Sequence, residues 1–142
     1  MLSNSATRPE NLNKIVEKFK RHDNPKQKYE QLLWYAKKLT PMTQVAKTEE
    51  NKVLGCVSQV YITSNLEQGK LFYQGDSDAQ LIKGLVAFLI EGLNGLTPQE
   101  IINLTPDFIE ETGLQVSLTP SRANGFLNIF KKMQQQAFLF NA

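Results

Sequence analysis

The chain has 142 residues and a mass of 16.1 kDa, with 41% apolar and 21% charged residues, enough for a buried core and ordinary for a globular protein. Its longest unbroken apolar run, Leu85 to Ile90, is too short to span a bilayer, and Met1 to Thr7 lacks the basic start and apolar segment of a signal peptide. Net charge is +2, yet residues 1–52 hold 11 Lys and Arg against 6 Asp and Glu; with no arginine-rich or aromatic-interleaved run, these read as solvated helix faces and not as a nucleic-acid surface.

Thr7-Arg8-Pro9-Glu10 has the makings of a helix start, with Thr7 as cap. Leu12, Ile15, Val16 and Phe19 continue at helical spacing to about Arg21. Pro25 opens a second helix, whose predicted stripe is Tyr29, Leu32, Leu33, Ala36 and Leu39, and Pro41 ends it. Residues 42–52 show no period and read as an exposed loop.

Val53-Leu54-Gly55-Cys56-Val57-Ser58-Gln59-Val60-Tyr61-Ile62 holds the only cysteine. Gly55 allows a bend closed to other residues, and Gln59 to Ser64 alternates with Val60 and Ile62 on one face. The thiol is therefore expected on a turn at the mouth of a strand. Asn65-Leu66-Glu67-Gln68-Gly69 reads as a hairpin turn, and Lys70 to Gln74 as the returning strand, with Leu71 and Tyr73 opposed to Phe72.

Gly75 to Gln80 switches the chain to a helix. Ser77 with Gln80 matches a capping box, and Asp78 falls in the predicted first turn. That helix, running to about Asn94, is apolar nearly all round and reads as the core helix. Thr97-Pro98-Gln99-Glu100 is a full capping signature. Thr105-Pro106-Asp107 opens a short helix closed by Gly113. Thr119-Pro120-Ser121-Arg122 opens a last helix with Phe126, Phe130, Met133 and Ala137 in one stripe. This order predicts an α+β fold: a small antiparallel β-sheet with helices packed on one face.

The inventory of reactive groups excludes more than it offers. One cysteine and one histidine cannot build a Cys/His zinc or iron–sulfur site within the chain, so no such metal centre is expected. His22 closes the first helix with no Asn/Asp signature tying it to Cys56. Neither a Gly-x-x-x-x-Gly-Lys-Ser/Thr nor a Gly-x-Gly-x-x-Gly phosphate loop is present. A lone cysteine is most often an inert buried side chain. A helix N-terminus near Ser77, or an arginine, would lower its pKa and favour thiolate. It cannot close an internal disulfide, which fits a reducing compartment, with the cytoplasm as default.

Gly55-Cys56-Val57-Ser58-Gln59-Val60-Tyr61 resembles the Gly-Cys-x-Ser-Gln-Val-aromatic segment of the SufE family of sulfur acceptors. Gly75-Asp76-Ser77-Asp78-Ala79 with Lys83-Gly84-Leu85, and Leu118-Thr119-Pro120-Ser121-Arg122, match in order. The resemblance covers about Asn11 to Lys132, with Tyr61 where tryptophan is usual. It leaves residues 1–10 and the last residues peripheral to one SufE-like domain spanning 1–142.

The resemblance implies an IscU-like fold without cluster-holding cysteines. It implies that Cys56 accepts persulfide sulfur from a SufS/CsdA-like cysteine desulfurase, stimulates that enzyme and passes sulfur to an iron–sulfur scaffold. The pyridoxal phosphate resides on the partner. Such a protein is a carrier with no turnover of its own, a monomer or weak dimer, binding neither nucleic acid nor membrane. Gly55 is the expected hinge; Ser58 and Gln59 belong to the turn, and Asp78 and Arg122 are candidates for organising it or touching the partner. The alternative is a binding module that activates the desulfurase allosterically, with Cys56 buried and inert.

Overall fold

A computed structural model of the chain describes residues 8–141, without the side chain of Asn141. Among these are seven α-helices and one two-stranded antiparallel sheet, an α+β fold. The order is α1 (Glu10–Lys20), α2 (Pro25–Lys38), a 3-10 turn (Gln44–Ala46), β1 (Val60–Glu67), β2 (Lys70–Ser77), α3 (Gln80–Leu93), α4 (Pro98–Ile102), α5 (Asp107–Glu111), α6 (Leu114–Ser117) and α7 (Pro120–Asn141).

The hairpin is longer than its sequence suggests. Val60 pairs with Ser77 and Glu67 with Lys70, so the connection is Gln68-Gly69 alone. Both residues have positive φ, 52° and 79°, the geometry whose twist suits a tight hairpin. Asn65 to Glu67, read as turn, belong to β1. Val60, Ile62, Leu71 and Tyr73 point into the core. The helices α3 and α7 cover that face: a Cβ on Gly75 would meet Val86 at 2.5 Å, and the Tyr73 hydroxyl donates to Met133 O at 2.7 Å.

The helix α3 lies at the centre, with Leu85, Val86, Phe88, Leu89 and Leu93 buried. Phe88 meets Phe19 of α1 and Phe126 of α7 edge-on, at ring separations of 5.2 and 5.5 Å, so aromatic packing joins three helices. In α2 the buried stripe is Leu32, Tyr35 and Ala36 with Lys28, while Leu33 is 39% exposed. The stripe keeps Leu32 and Ala36 but rotates by well under half a turn, with Tyr35 inward in place of Leu33. Lys28 buries its stem and spends its ammonium on two carbonyls, Phe19 O at 2.6 Å and Thr112 O at 3.0 Å. It closes the C-terminal end of α1, a role periodicity cannot show.

Two cap assignments fare differently. Thr97 Oγ1 accepts from Glu100 N at 3.2 Å while Glu100 Oε1 accepts from Thr97 N at 2.9 Å, a complete capping box. Thr97→Ala is expected to cost about 1 kcal/mol, read as a lowered denaturant midpoint; an unchanged midpoint would remove the box from the stability of this end. Ser77 and Gln80 form no such box. The helix starts at Gln80 with Ala79 as N-cap, and Ser77 Oγ accepts from Ala79 N. The strand runs on to Ser77, so the helix begins too late for that pairing. Thr7 lies outside the described residues; α1 begins after Pro9.

Residues 42–52 are not a free loop. Met42 and Val53 are buried, and Asp76 gathers this segment: it accepts from Met42 N at 3.4 Å and pairs with Lys47 and Lys83, each at 3.4 Å. These partners, with the Ser77 amide, outweigh burial and hold the Asp76 carboxyl below its usual range.

Candidate functional site

Cys56 sits on loop 54–59, and the fold closes that loop at its base. Val53 N donates to Val60 O at 2.8 Å, Ile62 N donates to Asn51 O at 2.8 Å, and Lys52 bridges Tyr61. Residues 51–53 therefore act as a short extra arm of the sheet, and the thiol loop is the excursion between two paired arms. Gly55 turns it with φ +82°. Any Cβ there would lie 2.7 Å from Asn128 Nδ2 as well as straining the backbone.

The C-terminal end of the loop is tied down by Asp78. Its Oδ1 accepts from Gln59 N at 3.0 Å, and its own amide donates to Gln59 O at 3.3 Å. Asp78 precedes the helix and is not in its first turn, so its carboxylate serves the loop and not the helix dipole. Gln59 Oε1 accepts from the Tyr61 hydroxyl at 3.1 Å.

A recess of about 290 Å³ opens beside the thiol, lined by Cys56, Val57, Ser58, Ile82, Arg122 and Gly125, among others. The structure thus brings Cys56, Ser58 and Arg122 to one recess, with Gly55, Gln59 and Asp78 setting the loop. Arg122 is aimed there from the first turn of α7, where Thr119 Oγ1 accepts its amide at 3.4 Å. Cys56 Sγ lies 3.8 Å from Gly125 O and is half-buried, while Leu54 and Val57 on either side are 78% and 88% exposed. A protected sulfur between two exposed apolar side chains is an arrangement a docking surface can seize.

Burial pushes the Cys56 thiol up from its ordinary value. A helix terminus or an arginine would act in the opposite direction, but desolvation is what sets the shift. The resting site is a protonated thiol. Alkylation of Cys56 in the isolated protein should rise with pH through a midpoint above that of an unburied thiol. Because the native state holds this proton more tightly than the unfolded chain, Cys56 should also contribute stability at neutral pH that is lost as pH rises through the raised value. A midpoint at or below the ordinary thiol value would overturn the burial account.

Asn128 and Gly125 were not singled out by sequence. Asn128 Nδ2 donates to Gly55 O at 3.0 Å. Its only trace in the sequence is an asparagine one turn past Gly125, between Leu127 and Ile129. Among the described residues, no group of three or more His, Cys, Asp and Glu is placed to hold a metal ion, and no helix is long and apolar enough to cross a membrane.

The SufE family model, described as an Fe-S metabolism associated domain, matches residues 13–137. An uncharacterized SufE-like protein of Synechocystis sp. is 72% identical over 136 residues, covering 96% of this chain and 86% of the relative. SufE-like protein 1, chloroplastic/mitochondrial, of Arabidopsis thaliana is 50% identical over 91% of this chain, which spans 35% of that protein. The cysteine desulfuration protein SufE of Plasmodium falciparum is 40% identical over 87% of this chain, which spans 52% of it. A solution structure of a hypothetical protein from Thermus thermophilus superposes with a TM-score of 0.81 at 25% identity, covering 95% of this chain and 99% of that one.

Proposed function

This chain belongs to the SufE family, and on that premise we propose that Cys56 is the acceptor in a sulfur relay. A pyridoxal-phosphate cysteine desulfurase presents a persulfide on its own cysteine. Cys56 gives its proton to a base of the partner's site and attacks the terminal sulfur as a thiolate, a new bond forms between Cys56 Sγ and that sulfur, and the partner's S–S bond breaks. The partner's cysteine leaves as a thiolate carrying the electron pair, so the exchange is redox-neutral. The loaded sulfur then passes to a nucleophile of an iron–sulfur scaffold. No cofactor is proposed for this chain, and no turnover in isolation.

One observation supports the reading above others: the sole cysteine rides a loop anchored at both ends, in a recess between exposed Leu54 and Val57. The chain supplies no second thiol to discharge a persulfide as an internal disulfide. Among the described residues lining the recess there is no base, so the raised thiol pKa requires the partner to complete the activation. Docking brings the sulfurs together and exchanges the loop's apolar surroundings for those of the partner's site. Mixing the full chain with a cysteine desulfurase and free cysteine should add sulfur mass at Cys56. An unmodified intact mass while the desulfurase turns over would sink the proposal.

The half-buried, protonated thiol favours a second reading, in which the chain stimulates the desulfurase by binding alone and Cys56 is inert. The serine variant separates the two.

A further inference from the structure

Loop 49–56 runs back along one face of α7. Gly125, Asn128 and Lys132 share that face at i, i+3 and i+7, and each meets the loop in turn. Lys132 Nζ donates to Glu50 O at 2.8 Å, Asn128 Nδ2 donates to Gly55 O at 3.0 Å, and Gly125 O faces the thiol. An open groove of about 570 Å³ separates loop and helix, lined by Val53, Leu54, Asn128 and Lys132 among others. Around Leu54 and Asn128 loop and helix are therefore not closely packed, while Cys56 itself packs against the core.

The three meetings differ in what stands behind them. Lys132 holds an arm that the sheet already holds, through Asn51, Lys52 and Val53. Within the loop tip, residues 54–58, the side-chain hydrogen bonds that reach α7 among the described residues are the one from Asn128 and the long sulfur contact to Gly125 O. A thiol is a weak donor, so the amide of Asn128 carries the closure. The same residue abuts the hinge: it lies where a Cβ on Gly55 would stand.

We infer that Asn128 is a positioning residue, a single-bond latch that holds the Gly55 hinge against α7 and sets how often Cys56 is exposed for sulfur exchange. Its consequence for sulfur transfer rests on the function proposed above; the latch itself does not. A partner that covers Leu54 and Val57 pulls on the tip next to this bond. Breaking one exposed hydrogen bond releases the thiol while the paired arms and Asp78 keep the loop's ends in place.

The test is the rate of Cys56 alkylation by iodoacetamide in the isolated full chain, measured beside the melting temperature. Asn128→Ala should raise the rate roughly three- to tenfold, the population change expected for one exposed hydrogen bond, with little change in melting. Asn128→Asp keeps the shape but not the donor and should match the alanine variant. Lys132→Met, which removes the bond to the supported arm, should leave the rate near that of the parent. A parental rate in Asn128→Ala or Asn128→Asp, or an equal rise in Lys132→Met, would overturn the latch. No desulfurase enters this measurement, so its failure is distinct from a failure to acquire sulfur, which the intact-mass experiment reads.

Discussion

Cys56→Ser is expected to abolish sulfur acquisition completely while leaving the fold intact. The substitution replaces the sulfur with a smaller oxygen in a half-buried recess. The cost in stability should stay within about 1 kcal/mol. The chemistry has no substitute: the chain contains one cysteine, and a serine hydroxyl does not attack a persulfide at neutral pH. Intact mass after incubation with a desulfurase and free cysteine should therefore show sulfur on the parent and none on the variant. Sulfur on the variant would place the acceptor elsewhere. Stimulation of the desulfurase divides the two readings. A carrier loses its stimulation together with its sulfur, whereas full stimulation by Cys56→Ser would favour the binding module.

The largest effect on stability is expected at Gly84. A Cβ there would stand 2.5 Å from Leu32 O and 2.9 Å from the Leu32 carbonyl carbon. These are backbone atoms of α2, held inside its helix, so relief requires α2 and α3 to separate over the buried Leu32, Leu85 and Phe88. Gly84→Val should cost about 3 kcal/mol, at the upper end for overpacking, and appear as a large drop in denaturant midpoint. Gly92 is a control in the same helix. Its added Cβ would meet Leu12 Cδ1 at 2.7 Å, the end of a side chain that can turn aside. There the gain in helix propensity, about 1 kcal/mol for alanine over glycine, offsets the crowding, so Gly92→Ala should be near neutral. Equal costs at the two positions would show that the helix crossing yields more readily than this geometry implies.

Elements with their own local chemistry were legible early. The capping box at Thr97, the proline at the start of α2 and the apolar stripe of α7 each depend on residues within a turn or two of one another. The boundaries of the hairpin were less so. Leu66 pairs with Leu71 across the strands only because Gln68 accepts a positive φ, an uncommon choice for a residue with a side chain. The rotated stripe of α2 has a similar origin. Tyr35 is buried against Phe19 of α1, at a ring separation of 6.1 Å, and it is a neighbour from another helix that decides which side of α2 faces inward.

The candidate site divides along the same line. Sequence alone determined that Cys56 is the sole thiol, that Gly55 sets a bend before it and that a strand follows. It also carried the three motifs by which the chain resembles its family. Only the tertiary structure decided that Asp78 secures Gln59, that Arg122 enters the recess from α7, that Asn128 holds Gly55, and that burial raises the thiol pKa instead of lowering it. A bend or a cap is written in neighbouring residues because its hydrogen bonds close within a turn. The environment of a sulfur atom is the sum of fields and contacts from segments some 20 to 70 residues away along the chain, and these acquire their distances only when the helices close over the sheet.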